Sequence, residues 1–132
     1  MKLEIAERQK EGVTILDLTG RLVAGGECEA LRERVRALAR AGVTRVILNL
    51  ERVAYIDSTG LGTMVLGYTT MTKSGGGLKL LNLTKREIEL LILTKLTTVF
   101  ELFDDEQSAV NSFFPGREIK RFDILSFIQE KQ

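Results

Sequence analysis

The stretch from Val46 to Leu66, VILNLERVAYIDSTGLGTMVL, joins a strand to a helix across a short polar break. Val46, Ile47, Leu48, Asn49 and Leu50 form an apolar run rich in β-branched residues, the composition of a buried strand. A polar turn is expected at Leu50-Glu51-Arg52-Val53, after which Val53, Ala54, Tyr55 and Ile56 lead into Asp57-Ser58-Thr59-Gly60-Leu61-Gly62. From there Leu61, Met64, Val65, Tyr68 and Met71 recur at helical spacing. Ser58 therefore stands where the chain leaves a sheet and enters a helix. A side-chain oxygen at that place accepts a bond from the free N–H groups of the first turn, and the electropositive helix end tolerates a phosphate.

The plain reading of Ser58 is a helix N-cap. Gly60 and Gly62 add to it, because a glycine in a helix costs about 1 kcal/mol relative to alanine. Glycines kept against that cost point to a close approach, either of the domain's own backbone or of a partner. The sequence leaves both open.

Outward from this stretch, strands and helices alternate. Leu3 and Ile5, then Val13, Ile15, Leu16 and Leu18, read as two strands joined by the polar turn Gln9-Lys10-Glu11-Gly12, with Gly20 ending the second. A helix from about residue 28 to 40 turns Leu31, Val35, Leu38 and Ala39 inward, and Gly42 is placed to cap it. Past the Ser58 helix, Ser74-Gly75-Gly76-Gly77 breaks the chain before a short strand at Leu78, Leu80 and Leu81. Thr84 and Glu87 form a capping-box pair that opens a helix carrying Ile88, Leu91, Ile92 and Leu96; its run Leu90-Leu91-Ile92-Leu93 reads as buried on most sides, the alternative being that part of it faces a partner. Val99 to Phe103 suggests an edge strand, and Asp104-Asp105 starts a helix through Val110 and Phe113. The expected fold is α/β, a mixed sheet opened by an N-terminal hairpin and covered by helices.

Pro115-Gly116 divides the chain into a domain over residues 1–114 and an extension over 115–132. Ile119, Phe122, Leu125, Phe127 and Ile128 make that extension too apolar for a solvated tail, and Asp123 is placed to cap a short amphipathic helix. It either folds back on the domain or contacts a partner.

Composition narrows the function. Nineteen basic and eighteen acidic residues leave a formal charge of +1 on 132 residues, too little field to steer the chain to nucleic acid. The chain has no histidine and a single cysteine, Cys28, so the usual zinc sites, imidazole acid–base chemistry and an internal disulfide are ruled out. No cofactor is implied and nothing asks for an enzyme. Lys73-Ser74-Gly75-Gly76-Gly77 reverses the order of a phosphate loop, and Gly60-x-Gly62 has Val65 where a dinucleotide fingerprint needs its third glycine. With no apolar run of spanning length, the chain is read as cytoplasmic, without membrane attachment.

The string Asp57-Ser58-Thr59-Gly60-Leu61-Gly62, set behind an apolar strand and in this order of elements, resembles the STAS domain of bacterial anti-sigma-factor antagonists over roughly residues 1–113. The resemblance implies that Ser58 is phosphorylated by a cognate anti-sigma factor of histidine-kinase-like ATPase fold and dephosphorylated by a serine phosphatase. It implies that the unphosphorylated form binds the anti-sigma factor and frees the sigma factor. Asp57, Gly60, Leu61 and Gly62, with Arg21 and Val23 of the loop after Gly20, would contribute to partner binding. Thr59 stands where a second serine is common and is the alternate phosphosite. The loop Val23-Ala24-Gly25-Gly26 departs from the family, which often carries an aspartate there. The expected assembly is a monomer or weak homodimer. The alternative from another class is a STAS module that senses a nucleotide or small anion at the end of the Ser58 helix.

Overall fold

The computed structural model describes residues 2–130. Five strands form one sheet in the order of the sequence: β1 (Glu4–Lys10), β2 (Val13–Leu22), β3 (Arg45–Ile56), β4 (Gly77–Leu81) and β5 (Leu102–Phe103). The first pair is antiparallel and all later pairs are parallel, so this is the expected mixed sheet opened by a hairpin. The hairpin turns on two residues, Glu11 at φ 53° and Gly12 at φ 82°, a left-handed pair that matches the twist of the strands. β2 does not stop at Gly20 but continues to Leu22.

The largest departure from the sequence reading lies in β3. No turn forms at Leu50-Glu51-Arg52-Val53; the strand runs without interruption from Arg45 to Ile56. The register with β2 passes from Asp17↔Asn49 to Thr19↔Arg52, and from Gly20↔Val53 to Arg21↔Tyr55, so β3 holds an extra residue at each step. These bulges put Glu51 and Arg52 outside while Leu50 and Val53 stay buried.

Among the described residues, four of five α-helices cover this sheet. On one face, α1 (Gly26–Arg40), α2 (Ser58–Lys73) and α3 (Lys85–Leu93) pack over Leu16, Leu18, Val46, Leu48, Leu50 and Leu80. On the other, α4 (Glu106–Asn111) brings Ala109 and Val110 onto Val13, Ile15, Ile47 and Leu81. The alternation of Val46, Ile47 and Leu48 between these two cores explains why the run is apolar throughout. Arg8 joins the hairpin to α4 by reaching Asp17 at 2.7 Å and Glu106 at 2.5 Å.

The capping box at α3 forms as expected: the Thr84 N–H donates to Glu87 at 2.9 Å and the Glu87 N–H to the Thr84 hydroxyl at 3.2 Å. Two expectations for this segment fail. α3 ends at Leu93, and Leu96 lies beyond it in a 3₁₀ turn (Leu96–Thr98) behind Lys95 at φ 62°. The run Leu90–Leu93 is also not mostly buried, since only Leu91 is fully enclosed while Ile92 and Leu93 are exposed. α1 starts two residues earlier than expected, at Gly26.

In the extension, α5 (Ile124–Glu130) begins where Asp123 accepts from the Ser126 N–H at 3.2 Å. Phe122, Ile124, Phe127 and Ile128 pack on the main core, with α5 against α3. No helix among the described residues is long and apolar enough to cross a membrane.

Candidate functional site

The site forms at the carboxyl ends of the parallel strands, where open α/β sheets place their loops and helix starts. β3 ends at Ile56, and Asp57 takes up the extended conformation of a cap. The cap is thus Asp57, not Ser58. Its Oδ1 accepts from the Gly60 N–H at 2.7 Å, and its Oδ2 accepts from the Ala24 N–H at 3.0 Å. The loop after β2 is drawn in further by the Asp57 N–H, which donates to the Leu22 carbonyl at 3.2 Å. Donation from Ala24 and then Gly60 holds the Asp57 carboxyl below the usual aspartate range, so it is charged at neutral pH.

With the cap position taken by its neighbour, Ser58 is the first residue of α2 and its hydroxyl is left over. It is exposed and makes no hydrogen bond within the described chain. The Thr59 side chain is exposed too, although its backbone carbonyl is engaged by the Thr63 hydroxyl at 2.9 Å.

The two glycines of the motif separate cleanly. A Cβ on Gly60 would lie 2.2 Å from the Leu22 carbonyl oxygen, so this glycine serves the fold's own backbone contact. A Cβ on Gly62 would meet nothing within 4 Å. Gly62 is one turn beyond Ser58 and Leu66 one turn further, a single exposed line along α2. Leu61 is buried in the main core and supports the turn from within.

Ser58 also borders a groove of about 570 Å³ between the end of β3 and α3, whose walls include Tyr55, Asp57, Leu61, Arg86, Leu90 and Leu93. Tyr55 is 46% and Leu93 80% exposed. Thr59 and Gly62 do not line this groove, and neither do Arg21 and Val23. Arg21 lies beside Tyr55 across the β2–β3 pair, and Val23 precedes the loop residue that binds Asp57. The contribution of α3 was not visible in the sequence, where Arg86 and Leu93 look like ordinary helix residues. The one hint was the apolar run Leu90–Leu93, for which a partner-facing surface is the alternative to burial. Among the described residues no group of histidine, cysteine, aspartate or glutamate could hold a metal ion.

Comparison with known proteins agrees with this geometry. The sequence model of the STAS domain matches residues 4–109. The anti-sigma-B factor antagonist of Bacillus subtilis (strain 168) is 32% identical over 110 residues, which are 83% of this chain and 99% of that protein. Among solved structures, an anti-sigma factor antagonist from Mycobacterium paratuberculosis superposes with a TM-score of 0.73 at 18% identity, covering 85% of this chain and 94% of that one. The Bacillus cell fate determinant SpoIIAA, solved in its phosphorylated form, superposes with a TM-score of 0.65 at 20% identity over 83% of this chain and 98% of its own.

Proposed function

The chain belongs to the STAS-domain family, and from that membership we propose that it is an anti-sigma-factor antagonist switched by phosphorylation of Ser58. The observation that carries the reading is the leftover hydroxyl. Asp57 satisfies the cap and the loop contact, so Ser58 is spare, exposed and presented on a rigid helix start. The relatives support it, since one is an anti-sigma-B factor antagonist by name and another was solved in a phosphorylated form. These relatives are regulatory binding proteins, and the partner is accordingly an anti-sigma factor.

In this reading the unphosphorylated chain binds the anti-sigma factor and frees its sigma factor. The anti-sigma factor is itself the serine kinase, of histidine-kinase-like ATPase fold, and a serine phosphatase resets the switch. The contact is made by the exposed line of Ser58 and Gly62, with Asp57 and Thr59 flanking it and the Arg21–Val23 loop beside it, while the buried Leu61 supports the turn from within. The chain works in the cytoplasm as a monomer or weak homodimer.

The chemistry of the switch follows from charge. A phosphate adds about −1.5 to −2 at neutral pH next to the Asp57 carboxylate, while the N–H groups of α2 stabilise it within its own domain. Phosphorylation therefore blocks the contact without unfolding the helix.

The test is binding and phosphorylation with the purified anti-sigma factor. Incubation with ATP should place a phosphate on Ser58, read by peptide mapping. Ser58→Ala should bind like the wild type and take no phosphate there. Ser58→Glu should weaken binding on the order of 100-fold, the scale of a like-charge clash at an interface. A phosphate on Thr59 alone, or a Ser58→Glu chain that binds normally, would overturn the assignment.

A further inference from the structure

The groove beside Ser58 has an unusual charge account. Each carboxylate on its walls is already engaged: Asp57 with the Gly60 and Ala24 N–H groups, Glu87 with the Thr84 N–H at 2.9 Å, and Glu89 facing Lys85 at 3.8 Å. Arg86 is the exception. It is exposed and has no hydrogen bond, ion pair or ring contact within the described chain. Arg86 is therefore the one charged side chain of the groove left without a partner within the described chain, and it shares the lining with Tyr55, Leu90 and Leu93, of which Tyr55 and Leu93 stand well into solvent.

An arginine beside an aromatic and two leucines is the composition of a protein-docking surface rather than of a small-ligand site. Ser58 itself lines the groove. We infer that it docks a segment of the anti-sigma factor that carries a carboxylate for Arg86 and apolar side chains for Tyr55, Leu90 and Leu93; the inference rests on the antagonist function proposed above. An acidic occupant fits the switch as well. A phosphate on Ser58 brings negative charge to the rim of a groove whose occupant is already negative, so phosphorylation repels that segment as well as crowding the contact. Arg86 then acts as the charge-reading residue of the interface. It does so from α3, at some distance in sequence from the motif that carries the serine.

The test is titration of the full-length chain with the purified anti-sigma factor at two salt concentrations. Arg86→Glu should weaken binding by about 10-fold or more and flatten its salt dependence, while Arg86→Lys should stay within about threefold of wild type. Leu93→Ala should weaken binding at both salt concentrations alike. Because Arg86 and Leu93 are exposed, these variants should melt with the wild type, which separates lost contact from lost fold. If Arg86→Glu binds as wild type while Ser58→Glu does not, the groove assignment is overturned and the Ser58 switch stands. Equal losses in Arg86→Glu and Arg86→Lys would mean that charge is not what is read, which also overturns it. If the wild-type chain and Ser58→Ala fail to bind the anti-sigma factor, the antagonist reading falls and the groove inference with it.

Discussion

The two ends of the sheet make an instructive pair. Where the parallel strands begin, a cavity of about 470 Å³ is lined by Thr44, Arg45, Gly76, Lys79, Glu101 and Phe113. Where they end lies the groove beside Ser58, of comparable size. The first holds more obvious chemistry, with two cations beside a run of glycines. Its cations are already committed, however. Lys79 donates to the Ser112 carbonyl at 3.1 Å and to its hydroxyl at 2.8 Å, pairs with Glu101 at 3.2 Å, and lies 4.3 Å from the centre of the Phe113 ring. Arg45 is stacked on Phe114 at 4.6 Å. At the other end the Ser58 hydroxyl and the Arg86 guanidinium have no partner within the described chain. What distinguishes the proposed functional end is groups left over after the fold has been satisfied, not the volume of the cavity or its glycines.

The strongest way to sharpen that distinction is through the glycines themselves, because Gly60 and Gly62 are two residues apart and serve different ends. Gly60→Ala drives a methyl group into the Leu22 carbonyl, where backbone on both sides resists, and should cost about 3 kcal/mol. It should also lose partner binding, since the Leu22 strand end and the Asp57 turn must part. Gly62→Ala meets open space and removes a helix-interior glycine, so it should stabilise the fold by up to about 1 kcal/mol. Its cost appears only in the complex, as weaker binding. Chemical denaturation beside a binding titration reads both. A Gly62→Ala chain that binds normally would mean that the partner does not approach this line of α2.

At the opposite end the expectation reverses. Lys79→Met keeps the stem in place but deletes two hydrogen bonds and the cation over Phe113, and should destabilise the chain by about 1–2 kcal/mol. Partner affinity should not change. A drop in affinity at equal folded fraction would break the comparison, since it would make the glycine-lined cavity part of the interface.

Much of this arrangement was legible in the sequence because it depends on local chemistry. The Glu11-Gly12 turn, the Thr84–Glu87 box and the alternating strands and helices are specified by neighbouring residues. What escaped depends on contacts between distant ones. Glu51 and Arg52 look like a turn because bulges carry polar side chains outward while the strand continues, and only the register with β2 reveals them. Asp57 and Ser58 are equally good caps by type. The Ala24 N–H, more than thirty residues away, gives Asp57 a second bond and leaves Ser58 free. Arg86 carried no signal at all, since its meaning depends on which carboxylates its groove already has spoken for. The motif and its place at a strand-to-helix junction were thus legible in the sequence, but the freedom of its serine hydroxyl was not.

Glu87 supplies the finest probe of the contrast between committed and leftover groups, because it lies on the groove wall but belongs to the fold. It is buried, and that burial raises its carboxyl above the usual glutamate range against the lowering effect of the Thr84 bonds. The folded chain therefore keeps its proton to a higher pH than the unfolded chain does. Folding stability falls as pH rises from the ordinary glutamate value through the raised one, and is constant above it. Glu87→Gln retains an oxygen to accept from the Thr84 N–H but never ionises. It should match wild type in mild acid and exceed it at neutral pH by about 0.5 kcal/mol or less, a difference on the scale of ordinary surface changes. Melting both chains across that pH range measures the gap, and partner affinity should be the same for the two. If the glutamine chain were instead less stable at neutral pH, the charge of Glu87 would be contributing to the start of α3. One carboxylate of the groove would then be held for its charge, and Arg86 would no longer face only carboxylates that the fold has already engaged.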